Sequence, residues 1–180
     1  MEKIKLVEPS LKYEDQVMKI REDFLNNKEN FAGCAMLEDC DNYLKWIDFD
    51  NRLSSILKDG YVKSHVYLGV RESDNKVVGI IDCRMKLTNF LLKYGGNIGY
   101  SVSINERRKG YGKEMLRLLL LKCKDEFLMD KVLITCDKEN IASKKTILSN
   151  GGVLENEIID DVGMVESGII ERYWIRLREE

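Results

Sequence analysis

The chain has 180 residues, 44% of them hydrophobic and 33% charged, with a formal net charge of −2. Such a composition belongs to a globular chain long enough to bury a core, and excludes the disordered and membrane-embedded classes. It also removes any bulk attraction to nucleic acid, so an anion site here must be local.

Residues 2–7 alternate charged and apolar side chains and predict a short strand. Residues 10–28 carry Leu11, Val17, Met18, Ile20 and Leu25 at helical spacing, so an amphipathic helix is expected. Residues 29–36 read as a loop. A second helix is expected over 39–58, with Tyr43, Leu44, Ile47, Leu53, Ile56 and Leu57 as its apolar stripe, a break near Asp48–Asn51, and a stop at Asp59-Gly60. The period then changes. His65–Arg71 and Lys76–Lys86 are rich in Val and Ile, and Ser73-Asp74-Asn75 between them predicts a hairpin turn.

Residues 88–96 form a connecting excursion ending in two glycines. A strand follows over Asn97–Ile104, then a strong helix over Lys113–Phe127 and a short buried strand over Lys131–Cys136. A helix over Asn140–Ser149 is stopped by Asn150-Gly151-Gly152, and two strands over 153–158 and 168–177 flank a polar loop. The order is β-α-α-β-β-β-α-β-α-β-β. The unit 97–136 should be a right-handed parallel crossover, and the flanking hairpins make the rest antiparallel. With no repeat, linker or low-complexity segment, the expectation is one α+β domain over residues 1–180.

Five cysteines (Cys34, Cys40, Cys83, Cys123, Cys136) form no CxxC pair and sit mostly in apolar runs. They read as reduced thiols of a cytoplasmic protein rather than a disulfide frame or a zinc site. Glu2, Lys3 and Lys5 interrupt any signal-peptide pattern, and the apolar runs, such as Leu118–Leu121, are too short to span a bilayer. No metal, membrane or nucleic-acid partner is expected.

The stretch that carries chemistry is Arg107-Arg108-Lys109-Gly110-Tyr111-Gly112-Lys113. A strand that runs through glycines into a helix presents free N–H groups at the helix N-terminus, and these together with the helix dipole attract an anion. Gly110 and Gly112 allow close approach and positive φ, while the cationic side chains suit phosphate, so a pyrophosphate is the natural ligand. The P-loop pattern fails, because Gly112-Lys113 is followed by Glu114. The Rossmann fingerprint fails, because Met115 stands at the third glycine. The competing reading is a plain helix start with solvated basic residues.

Context decides between them. RRKGYG matches R/Q-x-x-G-x-G/A and resembles the acyl-CoA signature of the Gcn5-related N-acetyltransferase (GNAT) family. Gly99-Tyr100-Ser101-Val102 before it, Asn140-Ile141-Ala142-Ser143 after the next strand, and the order of the flanking elements are similar to that family over nearly the whole chain. The resemblance implies a mixed, mostly antiparallel central sheet of about seven strands flanked by about four helices, with a splayed parallel strand pair at the acyl-CoA site. It implies acetyl-CoA as donor, bound by the main chain of Val102, Ser103 and Ile104 along the pantetheine arm and by Arg107, Arg108, Lys109, Gly110, Tyr111, Gly112 and Lys113 at the pyrophosphate. Asn140 would meet the pantetheine arm and Ser143 would stand near the phosphates; Asn140 also reads as a helix N-cap.

The chain departs from the family pattern in three places. Ile104 stands where many members have proline. Gly151-Gly152 replaces the usual Gly-Phe. Thr146-Ile147-Leu148 holds no tyrosine where many members place the acid that protonates the thiolate.

Acyl transfer to an amine needs deprotonation of the amine, N–H donors for the oxyanion, and a proton for the leaving thiolate. Candidates for these roles are Tyr100 on the thioester strand, Asp82 within VVGIIDC, Glu155 after Gly151-Gly152, and His65, the single histidine. A backbone N–H near Val102 would polarise the carbonyl. Cys136 reads as a small buried hydrophobe, and the family resemblance implies direct attack rather than a cysteine intermediate. Glu38, Asp39, Asp41, Asp48 and Asp50 against one lysine, Lys45, would either attract a cationic acceptor or form a solvated helix start. The resulting expectation is an N-acetyltransferase acting on a primary amine of a small molecule or protein. The alternatives are a non-catalytic coenzyme A-binding sensor or assembly module and, more remotely, a nucleotide-binding regulator. A homodimer is compatible with the family.

Overall fold

The computed structural model describes residues 2–55 and 62–178, with the backbone alone at 53–55. The helices among the described residues are α1 (Glu14–Asn26), α2 (Tyr43–Ser55), α3 (Tyr111–Asp125) and α4 (Ile141–Leu148). The strands among them are β1 (Ile4–Val7), β2 (Ser64–Arg71), β3 (Val77–Arg84), β4 (Ile98–Val102), β5 (Lys131–Asp137), β6 (Val153–Ile159) and β7 (Ile169–Arg176). The helix expected over 39–58 starts later, at Tyr43, and runs without a break through Asp48–Asn51. Ile56, Leu57 and the Asp59-Gly60 stop lie outside the described residues. The excursion 88–96 contains a π-helical turn, Leu91–Gly95.

The strands form two sheets, ordered β1-β2-β3-β4 and β5-β7-β6, and every pairing within them is antiparallel. β2 and β3 are buried on both faces because helices cover both sides of the first sheet. On one side α3 packs Met115, Leu116, Leu119 and Cys123 with Tyr67, Ile81, Cys83 and Ile98. On the other, α1 and α2 pack Val17, Ile20, Phe24, Tyr43 and Trp46 with Val66, Leu68, Val70 and Ile80. The α1 apolar residues Val17, Ile20 and Phe24 recur at three- and four-residue steps, which puts them on one face of the helix.

Asn97, just before β4, ties that strand to β5. It donates its N–H to Leu133 O at 2.7 Å and accepts the Leu133 N–H on its side-chain oxygen at 2.8 Å. Its amide nitrogen donates to Arg84 O at 2.9 Å, while its carbonyl accepts the Arg84 N–H at 2.7 Å. This buried side chain therefore stands in for a stretch of strand pairing between β4 and β5. Beyond Asn97 no ladder joins the two strands among the described residues, and they splay.

Candidate acyl-transfer site

The splay exposes main-chain groups that a continuous sheet would consume. In the antiparallel β3–β4 pair, Ser103 donates to Val78 O at 2.9 Å and Arg84 donates to Asn97 O at 2.7 Å. Those bonded positions set the alternation, so the N–H and C=O groups of Ile98, Tyr100 and Val102 point away from β3, toward β5. The Val102 carbonyl accepts from Arg107 Nε at 3.3 Å. The amides of Tyr100 and Val102 are left facing the gap.

Asp82 pins the lip of this gap. It is buried on β3, accepts the Gly99 N–H at 2.9 Å and pairs with Arg84 at 3.3 Å. Burial raises its pKa, opposed by Arg84 and by the Gly99 amide. A second support comes from the loop after α1. Gly33, at φ +72°, lies so close to β4 that a Cβ on it would come within 2.1 Å of the Gly99 carbonyl oxygen. Ser101 Oγ donates to Ala32 O at 2.8 Å from the same face.

Tyr100 bridges the gap. Its hydroxyl lies 2.9 Å from Ser143 Oγ, on the first turn of α4. Burial pushes its pKa up to about 12, although the Ser143 and Thr146 hydroxyls pull the other way. The phenol is therefore protonated near neutrality. Asn140 caps α4, accepting the Ser143 N–H at 3.0 Å. Ser143 is thus held against the Tyr100 hydroxyl.

The turn between β4 and α3 presents free backbone donors. Among the described residues, none of the N–H groups of Arg108 to Lys113 has a hydrogen-bond partner; the next, that of Glu114, bonds Gly110 O at 3.1 Å. Arg108 (φ 61°) and Gly110 (φ 88°) take the left-handed conformation that turns these amides outward. Gly112 does not share that conformation. Its role is space, since a Cβ there would sit 3.4 Å from Val102, 3.7 Å from the Thr146 hydroxyl and 4.0 Å from the Tyr100 ring.

The basic side chains divide in a way the sequence did not show. Arg107 makes a bidentate pair with Glu29, 2.8 Å for both bonds, and so ties the turn to the loop after α1. Lys109 turns inward to Glu106, a carboxylate only 2% exposed that also takes Arg71 at 3.1 Å and Lys76 at 2.6 Å. Burial alone would raise the Glu106 pKa; the Lys76 and Lys109 bonds outweigh it and hold the group ionised. Tyr111 is buried in the core, its hydroxyl accepting from Arg71 at 3.3 Å. Arg108 and Lys113 are the exposed cations of the turn with no ion-pair partner among the described residues. Ser103 is held by β3, and Ile104 opens a short 3-10 turn, Ile104–Glu106, that leads into the anion turn.

Other sequence-derived candidates lie elsewhere. His65 is on β2, two strands from β4, stacked on Phe127 with ring centroids 4.7 Å apart; burial lowers its pKa. Glu155 is on β6, at the far edge of the second sheet, and pairs with Arg172 at 2.7 Å. β5 and β7 stand between it and β4. Cys136 lies at the cleft end of β5, where burial pushes its thiol up to about 11. Of the acidic residues of 38–50, Asp41 pairs with Lys45 and Asp48 with Arg52, as in an ordinary solvated helix start, whereas Asp50 is buried. Among the described residues no group of His, Cys, Asp or Glu could hold a metal ion, and no helix is long and apolar enough to cross a membrane.

Asn97 and Glu106 were not singled out by sequence. Asn97 reads in sequence only as the first residue of a strand, and Glu106 is one more charge in a charged run. The Thr146 contact with Tyr100 depends on which way α4 faces.

A splayed strand pair leads into six amides without partners among the described residues, and the sequence model of the acetyltransferase (GNAT) domain matches residues 14–153. The chain belongs to the GNAT family. As such it is an acetyl-CoA-dependent N-acetyltransferase, with acetyl-CoA as the donor. No curated protein matches. Solved GNAT structures share the fold at low identity. The microcin C7 self-immunity acetyltransferase MccE, in complex with acetyl-CoA and AMP, is 20% identical with a TM-score of 0.67, covering 98% of this chain and 93% of its own. RimL, the ribosomal α-N-protein acetyltransferase in complex with coenzyme A, is 14% identical with a TM-score of 0.69, covering 96% and 93%. A GNAT-family acetyltransferase from Bacillus anthracis is 17% identical with a TM-score of 0.65, covering 99% of each chain.

Proposed function

We propose that this GNAT domain transfers an acetyl group from acetyl-CoA to a primary amine by direct attack within a ternary complex. The observation that carries the reading is the row of unpartnered amides from Arg108 to Lys113, continuous with the Tyr100 and Val102 amides in the splay. The first set receives the diphosphate, assisted by Arg108 and Lys113. The Val102 N–H polarises the thioester carbonyl and holds the oxyanion after attack. Holding donor and acceptor in one gap supplies much of the acceleration.

The amine attacks the carbonyl carbon, the tetrahedral intermediate collapses, and the C–S bond breaks with its electron pair on sulfur. Tyr100 then gives its proton to the thiolate, and the proton that the attacking nitrogen sheds returns through solvent to the phenolate, while Ser143 at 2.9 Å orients the phenol. In this reading Tyr100, reaching across from β4, replaces the tyrosine that residues 146–148 lack. The high Cys136 pKa argues against a cysteine intermediate, because a neutral thiol is a poor nucleophile. Asn140 and Ser103 line the pantetheine path, and the loop 27–36, lying on β4, borders the acceptor.

The names of the structural neighbours, one an immunity enzyme and one an α-N-protein acetyltransferase, favour an amine acceptor on a small molecule or a polypeptide terminus. The test is acetyl-CoA consumption against a panel of amino acids, polyamines, aminoacyl nucleotides and N-terminal peptides, with mass detection of the product. Turnover on any amine supports the reading. Coenzyme A binding with no turnover across the panel points instead to a non-catalytic binding module.

A further inference from the structure

Where β1 leaves the first sheet, a pocket of about 180 Å³ opens that the acyl-transfer chemistry does not use. β1 pairs with β2 only as far as Val7 opposite Leu68. Glu8 and Pro9 then turn away and uncover the outer edge of β2 at His65, Val66 and Tyr67, while Asp50 and Asn51 of α2 close the other side. The pocket is on the opposite edge of the sheet from the splay, with β2 and β3 between it and β4.

Its polar lining is out of balance. Asp50 is 8% exposed, yet its Oδ1 is buried with no hydrogen-bond partner among the described residues. The Val66 main chain favours the ionised carboxylate, but no donor among the described residues reaches Oδ1. A buried carboxylate oxygen without a donor carries a desolvation cost that proteins rarely leave standing. The neighbouring charges worsen it, since Glu8 and Asp82 are the groups that act on Asp50 and both are acidic. Glu8, the Tyr67 hydroxyl and the His65 ring nitrogens also have no hydrogen-bond partner among the described residues. Lys122 is near, but lies over the Tyr67 ring, 5.0 Å from its centroid, rather than against Asp50.

What is missing is a donor with positive charge. An anion would face two carboxylates. A metal ion is disfavoured because no group of His, Cys, Asp or Glu among the described residues has ligating geometry. The volume would hold about six water-sized groups, the size of a short alkylamine.

We propose that this pocket is a second ligand site, which binds a small organic ammonium ion with its N–H groups on Asp50 and Glu8. These two carboxylates form the acceptor set, and Pro9 and Val66 receive the apolar stem. The site is separate from the acceptor position in the acyl cleft. Its reach toward that cleft is through Asp82, which is opposite Val66 on one side and pins Gly99 on the other.

The probes are n-butylammonium and 1,4-diaminobutane, with 1-butanol as the uncharged control, titrated by calorimetry into the full chain saturated with coenzyme A. Saturable binding of the ammonium probes, absent for butanol, is expected. Asp50→Asn keeps the shape and removes the charge, and should weaken binding at least tenfold. Glu8→Gln, at an exposed position that leaves the core untouched, should weaken it at least threefold, which keeps the test open if the Asp50→Asn variant folds poorly. Acceptor KM should stay within twofold in both variants. Absence of saturable binding would overturn the proposal, as would wild-type affinity in both variants. An acceptor KM that rises in step with the lost binding would also overturn it, by making the pocket part of the acceptor site.

Discussion

Gly112 offers a way to separate charge from shape at the anion turn. Its backbone is not left-handed, and a Cβ there meets Val102, Thr146 and Tyr100 at ordinary contact distances. Gly112→Asn and Gly112→Asp therefore introduce nearly isosteric side chains that differ by one negative charge. If the diphosphate sits on the amides of residues 108–113, the new carboxylate lies on the order of 6 Å from it. At an effective dielectric of about 20, that repulsion is roughly 3 kcal/mol per unit charge, which is about a hundredfold in affinity.

The same carboxylate should stabilise the empty protein, since it stands in the first turn of α3, where the helix dipole favours negative charge by about 0.3–1 kcal/mol. Calorimetric titration with coenzyme A at about 0.15 M salt, paired with thermal unfolding of the unliganded variants, reads both effects. The expected pattern is opposite signs. The Gly112→Asp variant should fold at least as stably as the Gly112→Asn variant but bind about a hundredfold more weakly, with the binding gap narrowing at high salt. Equal coenzyme A affinity in the two variants would refute the reasoning and place the diphosphate elsewhere.

Tyr100→Phe keeps the ring in its contacts and removes the proton, so kcat should fall by about a hundredfold with acetyl-CoA KM nearly unchanged; an unaltered kcat would remove Tyr100 from the chemistry. Cys136→Ala should leave steady-state rates within a few-fold, because a thiol with its pKa pushed up to about 11 is neutral in the assay; abolished turnover in a folded variant would restore a cysteine intermediate. Asn97→Ala strands the Arg84 carbonyl and the Leu133 amide, at about 1–3 kcal/mol each, so urea denaturation should show a loss of about 2–6 kcal/mol; a loss under about 1 kcal/mol would show that β4 and β5 are joined by other contacts. Asp50 has a pKa raised by burial from 3.8 to about 7, with Glu8 and Asp82 adding to it. Between those values the unfolded chain is ionised while the native carboxyl is still protonated, so the Asp50 contribution to stability falls as pH rises from about 4 to about 7. The stability of Asp50→Asn relative to wild type should therefore climb over that window, by at most about 4 kcal/mol, and level off above it; a difference independent of pH would show that Asp50 is ionised at no cost.

Much of the fold was legible in advance because it rests on local pattern. The apolar stripes of α1 and α3, the Val- and Ile-rich runs of β2 and β3, and the turn chemistry at Ser73–Asn75 each follow from side chains along one element. Boundaries moved by a few residues where caps decided them. α3 begins at Tyr111, earlier than its apolar stripe suggests, because Gly110 turns the chain there. The candidate site was legible only in part. RRKGYGK announced an anion turn, but not that Lys109 would be drawn to Glu106 and Arg107 to Glu29, since both acids reach their places only through the packing around the sheet. His65 and Glu155 had the right chemistry for a base, yet they stand two strands from β4 and β5 respectively.

Sequence alone determined the donor side of this protein. A glycine-punctuated basic turn between a strand and a helix creates unpartnered amides wherever it folds, because the first turn of a helix has no preceding carbonyls to satisfy them. Only the tertiary structure decided what surrounds that turn. Asn97 ends the pairing of β4 with β5 and so sets where the splay begins, and Tyr100 reaches Ser143 only because α4 packs beside the gap it opens. The departure of β1 at Glu8 leaves Asp50 facing Glu8 across the pocket. These arrangements bring together residues from elements far apart in the chain, and no periodicity along a single element encodes such a meeting.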